Sequence, residues 1–140
     1  MAKRRDFLSL SGMGALLGVA MPGQAAAKAL PDSTRFAKDA AVKQEPFGEL
    51  RIYFDGPTEQ LKNITAGSLS LKPGMEPHPP HHHPEEEFLL VTEGHGEILA
   101  EGKTTKVGPG AMMYCGAHKL HGIKNTGAKP LLFFFYKWQG

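Results

Sequence analysis

All seven histidines of the chain lie between positions 78 and 121. Four of them, His78, His81, His82 and His83, stand in one proline-rich stretch that ends in Glu85-Glu86-Glu87. Two more, His118 and His121, follow about forty residues on. Imidazoles and carboxylates in this mixture are ligands for a divalent transition metal.

Spacing selects among them. In an extended chain, side chains two apart point the same way. His81 and His83 therefore share a face, and His82 points away. His78 falls in a proline-stiffened lead-in and reads as structural or exposed. Were residues 81–87 one straight strand, His81 and Glu87 would stand roughly 20 Å apart. Metal bonds are only about 2 Å long, so the chain has to turn after His83. Pro84 with Glu85-Glu86 suits that turn. Glu87 then opens the next strand and faces back, which makes it the preferred carboxylate, with Glu85 second and Glu86 solvated.

The third imidazole comes from His118 or His121. Three apart on a strand, they cannot share a face. His121 is preferred because it enters the strand leading to Asn125. His118 is placed at the site mouth as a supporting or proton-handling group. Tyr114 is a second candidate for proton transfer, with Met112 and phenylalanines as cavity wall. The plainer expectation for Tyr114 and Met112 is ordinary core. A loose His-rich surface tract would not lie between strands, nor be matched by a second histidine segment.

The elements that must position these residues are β-strands. After residue 49, short runs rich in β-branched and aromatic residues alternate with turn residues, as in an all-β sandwich or barrel. Strands are predicted at 50–54, 64–71, 88–92, 96–100, 104–107, 111–115, 122–125 and 131–138. The turns between them, among them Lys72-Pro73-Gly74, Glu93-Gly94 and Gly108-Pro109-Gly110, use Gly for positive φ and Pro for fixed φ. Residues 28–47 read as an arm, with two helical turns possible over 33–42. The last strand is apolar on both faces, where a strand with one wet face should alternate. Its second face is expected to be covered by the arm or, preferably, by a second copy in a homodimer.

Residues 1–27 have the layout of a signal peptide: Lys3, Arg4 and Arg5, then a weakly apolar stretch, then Pro22-Gly23 and Ala25-Ala26-Ala27. Arg4-Arg5 before Asp6-Phe7-Leu8 resembles a bacterial twin-arginine export address, which implies a periplasmic or otherwise exported protein. The apolar run is too short and too rich in Gly and Ser to stay in a membrane. The net charge of +2 is carried entirely by Lys3, Arg4, Arg5 and Asp6, so no basic field remains to draw nucleic acid. The 140 residues, with seventeen glycines and eleven prolines, suit one turn-rich domain. The lone Cys115 excludes an intramolecular disulfide and reads as a small buried hydrophobe. Tyr136 and Trp138 read as packing residues.

The two histidine segments resemble the two motifs of the cupin superfamily. His81, His83, Glu87 and Gly94 meet the first. Gly110, His121 and Asn125 meet the second in register. Gly74 stands one residue farther out than the common spacing, Gly116 replaces an expected Pro, and His118 replaces an expected Gly. These departures fall in the loops and leave the ligands in place. The resemblance covers residues 48–138. It implies a small single-domain double-stranded β-helix, the jelly-roll barrel, commonly dimeric, with one divalent metal (Mn, Fe, Ni, Co or Zn) on His81, His83, Glu87 and His121. It implies a small-molecule ligand or substrate. It also leaves two functions open: a small metal-dependent oxygenase, decarboxylase or isomerase acting on a small polar molecule, or a non-catalytic metal- or ligand-binding module.

Overall fold

The computed structural model describes residues 25–140; the twin-arginine pair and most of the segment read as a signal peptide lie outside the described residues. Nine strands follow one short 3-10 turn at Ala37–Asp39: β1 (Ala41–Glu45), β2 (Gly48–Gly56), β3 (Asn63–Leu71), β4 (Glu86–Glu93), β5 (Gly96–Ala100), β6 (Lys103–Val107), β7 (Met112–Cys115), β8 (His121–Lys124) and β9 (Leu131–Gln139). The described residues contain no α-helix. The strands form two antiparallel sheets, one ordered β1-β2-β3-β9-β4-β7 and the other β6-β5-β8. This is the all-β jelly roll that the sequence pattern implies.

The eight strands predicted from turn punctuation are all present, and the arm differs. The two helical turns expected over 33–42 reduce to the single 3-10 turn, after which β1 pairs with β2 from Ala41↔Ile52 to Glu45↔Gly48. So short a helix is marginal in water without tertiary support. A reversal at Pro46-Phe47 gives the same residues a hydrogen-bonded partner instead. β1 is an exposed edge strand carrying Lys43 and Glu45, charges that discourage further pairing. It extends the sheet at its edge, with β2 and β3 between it and β9, and does not cover β9.

The core lies between the sheets. Leu69 and Leu71 of β3, Leu89 and Val91 of β4, and Leu131, Phe133 and Phe135 of β9 face Ile98 of β5 and Ile123 of β8. Met113 and Cys115 of β7 complete it. Cys115 is buried as expected, and burial pushes its thiol pKa up. Met112 is 61% exposed, so it belongs neither to the core nor to a cavity wall. Along β9 the odd positions point inward and the even ones outward, the two-residue period of a strand. The outward set makes an aromatic face: Phe88 packs on Trp138 at 5.5 Å and on Tyr114 at 5.3 Å between ring centroids.

Candidate metal centre

The first histidine segment is fastened to the second by backbone. His81 and His121 form an isolated antiparallel bridge, each N–H donating to the other's carbonyl at 2.9 Å. The His118 N–H donates to the His83 carbonyl at 2.7 Å. These bonds carry the lead-in past the start of β8, and the turn at Pro84-Glu85 returns the chain into β4 with Glu87 as its second residue.

The rings of His81, His83 and His121 meet at one point. Their centroids are 4.8–5.1 Å apart with steep interplanar angles, and one ligand nitrogen from each lies within 4.8 Å of the others. Glu87 stands beside them, with Oε2 2.8 Å from His121 Nε2 and 3.3 Å from His83 Nε2. His121 Nδ1 lies 2.9 Å from the Lys119 carbonyl, and His83 Nδ1 lies 3.1 Å from that of Glu85. A ring whose Nδ1–H is held by a carbonyl presents Nε2 as its ligand atom. Glu85 therefore supports His83 from behind, its own carboxylate 3.2 Å from Nδ1, and stays away from the centre.

The electrostatics fit a cation at this point. Burial lowers the pKa of His81 to about 4, helped by the neighbouring imidazoles of His78, His121 and His83 and opposed by Glu87. Its nitrogen lone pair is thus free of protons at neutral pH. Burial alone would raise the Glu87 pKa, but the hydrogen bonds and charge of His121 and His83 outweigh it and hold the carboxyl below its ordinary range. His121 is raised, chiefly by the bond to Glu87, against burial and with help from the Lys119 carbonyl. Three imidazoles and a flanking carboxylate suit Mn, Fe, Ni, Co or Zn.

The cluster opens into a cavity of about 310 Å³, at the low end for small-ligand sites. Its walls are mainly apolar, with Leu50, Leu69, Leu89, Phe133 and Phe135 among them. Two polar residues of the wall were not singled out by sequence. His78 is exposed at the cavity and stacks on His81 with centroids 3.7 Å apart. Lys137 lines the cavity from β9.

Two expectations are corrected. Tyr114 is 52% exposed on the outer face, where it donates to Glu86 Oε1 at 2.6 Å. Strand alternation gives the inner face of β7 to Met113 and Cys115, so Tyr114 does not reach the cavity. His118 is exposed with a positive φ of 60° and does not line the cavity either. It meets the site through its backbone bond to His83.

A family description for a cupin domain matches residues 67–136, half of the chain, with all four residues of the cluster inside it. The chain belongs to the cupin family. Its relatives among solved structures are distant and show the barrel alone. KdgF from Halomonas sp. is 19% identical, with a TM-score of 0.65 over 79% of this chain and 96% of that one. An RmlC-like cupin from Shewanella frigidimarina is 14% identical, with a TM-score of 0.64 over 79% and 93%. A predicted oxalate decarboxylase from Thermotoga maritima is 17% identical, with a TM-score of 0.62 over 77% and 100%. No curated protein sequence matches this cupin.

Proposed function

We propose that this cupin holds one divalent transition metal on His81, His83 and His121, with Glu87 as the fourth ligand, and acts as a small metal-dependent enzyme on a small molecule taken into the barrel. One observation carries the reading: three imidazole nitrogens within 4.8 Å of one another open onto a mostly apolar cavity. An ion held there would polarise a ligand oxygen as a Lewis acid. The chain's own contributions are separable from it. The Lys119 and Glu85 carbonyls orient two rings, burial keeps His81 unprotonated, and Phe133 and Phe135 give the cavity an apolar wall. The oxygenase, decarboxylase and isomerase classes all remain within this description.

The test is metal analysis of the purified protein followed by turnover. One equivalent of a single metal, lost in His83→Ala, together with oxygen uptake or conversion of a member of a panel of acids and sugars, is the expected result. Absence of stoichiometric metal overturns the reading.

A non-catalytic ligand-binding role is favoured by one observation. Among the described residues that line the cavity, only His78 and Lys137 besides the four cluster residues have side chains that can carry a proton. Tight metal with no turnover on any substrate class supports that alternative.

We also propose that the protein is exported and pairs with itself. Export rests on residues 1–27; among the described residues no helix is long and apolar enough to cross a membrane. Arg4-Arg5→Lys-Lys is expected to block export, and unchanged export overturns the address. Pairing rests on the outer face of β9, β4 and β7, where Tyr136, Phe88 and Tyr114 are exposed, since such patches mark contact surfaces. Analytical ultracentrifugation tests it: a dimer that dissociates in Tyr136→Lys is expected, and a monomeric wild type overturns it.

A further inference from the structure

We infer that Lys137 is the anion anchor of the cavity, and that the cavity's ligand is a small organic acid with an apolar body. The inference deepens the proposed function and rests on its reading of the barrel interior as a ligand site. It starts from the phase of β9. Leu131, Phe133 and Phe135 are buried on the inner face, and Lys137 is next in the same phase, so the strand carries a cation into the cavity it lines. Surface lysines are ordinary; a lysine on an apolar inner wall needs a counter-charge.

The protein does not supply one. Among the described residues Lys137 forms no ion pair, while the ion pairs that do form involve Lys43, Arg51, His83 and His121. The nearest candidate by register is Glu87, which is directly opposite Lys137 across the β4–β9 pair. Its Oε2 is instead held by His83 and His121. Among the described residues Glu87 is also the sole carboxylate lining the cavity. With a divalent ion on the imidazoles, one carboxylate faces two cationic centres, and the excess positive charge draws an anion.

Geometry sets the anion's position. Directly opposed residues of an antiparallel pair stand about 5 Å apart at Cβ, so the Lys137 stem starts beside the metal cluster. Its four flexible carbons let the ammonium meet a carboxylate that also faces the cluster. Apart from His78 beside the cluster, the remaining wall, Leu50, Leu69, Leu89, Phe133 and Phe135 among it, offers no side-chain hydrogen bond, so the body of the ligand is apolar. The small volume and single lysine favour one carboxylate over a polyanion.

The test compares acids with their uncharged isosteres. Benzoate, butyrate and 2-furoate are titrated calorimetrically against benzamide, butyramide and 2-furamide. The titrations use wild type, Lys137→Met and Lys137→Arg, each with its native metal and after chelation. Lys137→Gln replaces the Met variant if that one does not fold. At least one acid is expected to bind about tenfold or more tightly than its amide. Lys137→Met loses that preference and Lys137→Arg keeps most of it, with metal content unchanged in all three. Equal binding of every acid and amide, or a preference that survives in Lys137→Met, overturns the inference. A lysine-dependent preference in protein that carries no metal overturns the metal centre and leaves the anion anchor standing. Metal bound without a lysine-dependent preference does the reverse.

Discussion

His121 Nε2 lies 2.8 Å from Glu87 Oε2, although 34 residues separate them in the chain. The contact joins β8 of the small sheet to β4 of the large one, strands that share no ladder. It therefore clasps the two sheets at the mouth of the cluster. It also places an acceptor on an imidazole whose other nitrogen is held by a backbone carbonyl, an arrangement that His83 shares at longer distances.

Removing the charge of that acceptor separates shape from electrostatics. Glu87→Gln keeps the volume and loses the anion. Metal affinity is expected to fall about 10- to 100-fold, the range for loss of a group that supports or completes a site. His121→Ala removes a donor outright and is expected to cost more. Calorimetric titration with Mn²⁺, Ni²⁺ and Zn²⁺ measures both, and an unchanged affinity in Glu87→Gln would remove the carboxylate from the site.

Acid acts on the histidines of the cluster in opposite senses. The His81 pKa is lowered from 6.5 to about 4, so protonation favours the unfolded chain. Its contribution to stability falls as pH drops from 6.5 toward 4. The His121 pKa is raised above 6.5, so its contribution is full below 6.5 and is lost as pH rises through the raised value. Metal has to displace the His121 proton but finds none on His81. Binding just above pH 6.5 is expected to release a proton from the fraction of His121 that is protonated and to weaken as pH falls. Titrations in buffers of different ionisation enthalpy count the proton, and a count of zero contradicts the assignment.

The site was legible in sequence because its geometry is local twice over. The two-residue period put His81 and His83 on one face, and Pro84 forced the return that brought Glu87 back. Glycine and proline marked nearly every strand end. β1 was hidden because Ala41–Glu45 has no alternation of its own and becomes a strand by pairing with β2. Tyr114 was misplaced because a four-residue strand has two phases, and only the packed partners of Met113 and Cys115 choose between them. Lys137 was missed because lysine reads as surface, although the phase of Leu131, Phe133 and Phe135 already pointed it inward.

Asn125 holds the second histidine segment to the core. It is fully buried; its Nδ2 donates to the Leu71 and Lys129 carbonyls, and its Oδ1 accepts from the Gly127 N–H, each at 2.9 Å. Asn125→Ala leaves the buried Leu71 carbonyl without this partner, while the Lys129 carbonyl and the Gly127 N–H lie nearer the surface, where water can replace it. A buried group left unpaired costs about 1–3 kcal/mol, so the variant is expected to lose about 1–3 kcal/mol in urea unfolding. A loss below about 1 kcal/mol would mean that the loop finds other partners.

Gly94 marks the crossing from β4 in the large sheet to β5 in the small one, and two separate constraints meet there. Its φ is +81°, and an added Cβ would stand 2.3 Å from the Pro130 carbonyl oxygen and 2.9 Å from Leu131 Cα. Gly102 has a comparable φ of +70° with nothing within 4 Å of the same position. Gly102→Ala thus reports the left-handed backbone alone, about 1–2 kcal/mol. Gly94→Ala adds a clash with backbone that cannot swing aside, and overpacking of that kind costs about 1–3 kcal/mol more. The strand pushed by that clash is β9, which carries Phe133, Phe135 and Lys137 into the cavity. Gly94→Ala is therefore expected to melt well below Gly102→Ala. Equal melting temperatures would show that the Pro130 segment yields freely and that the glycine is required for its φ alone.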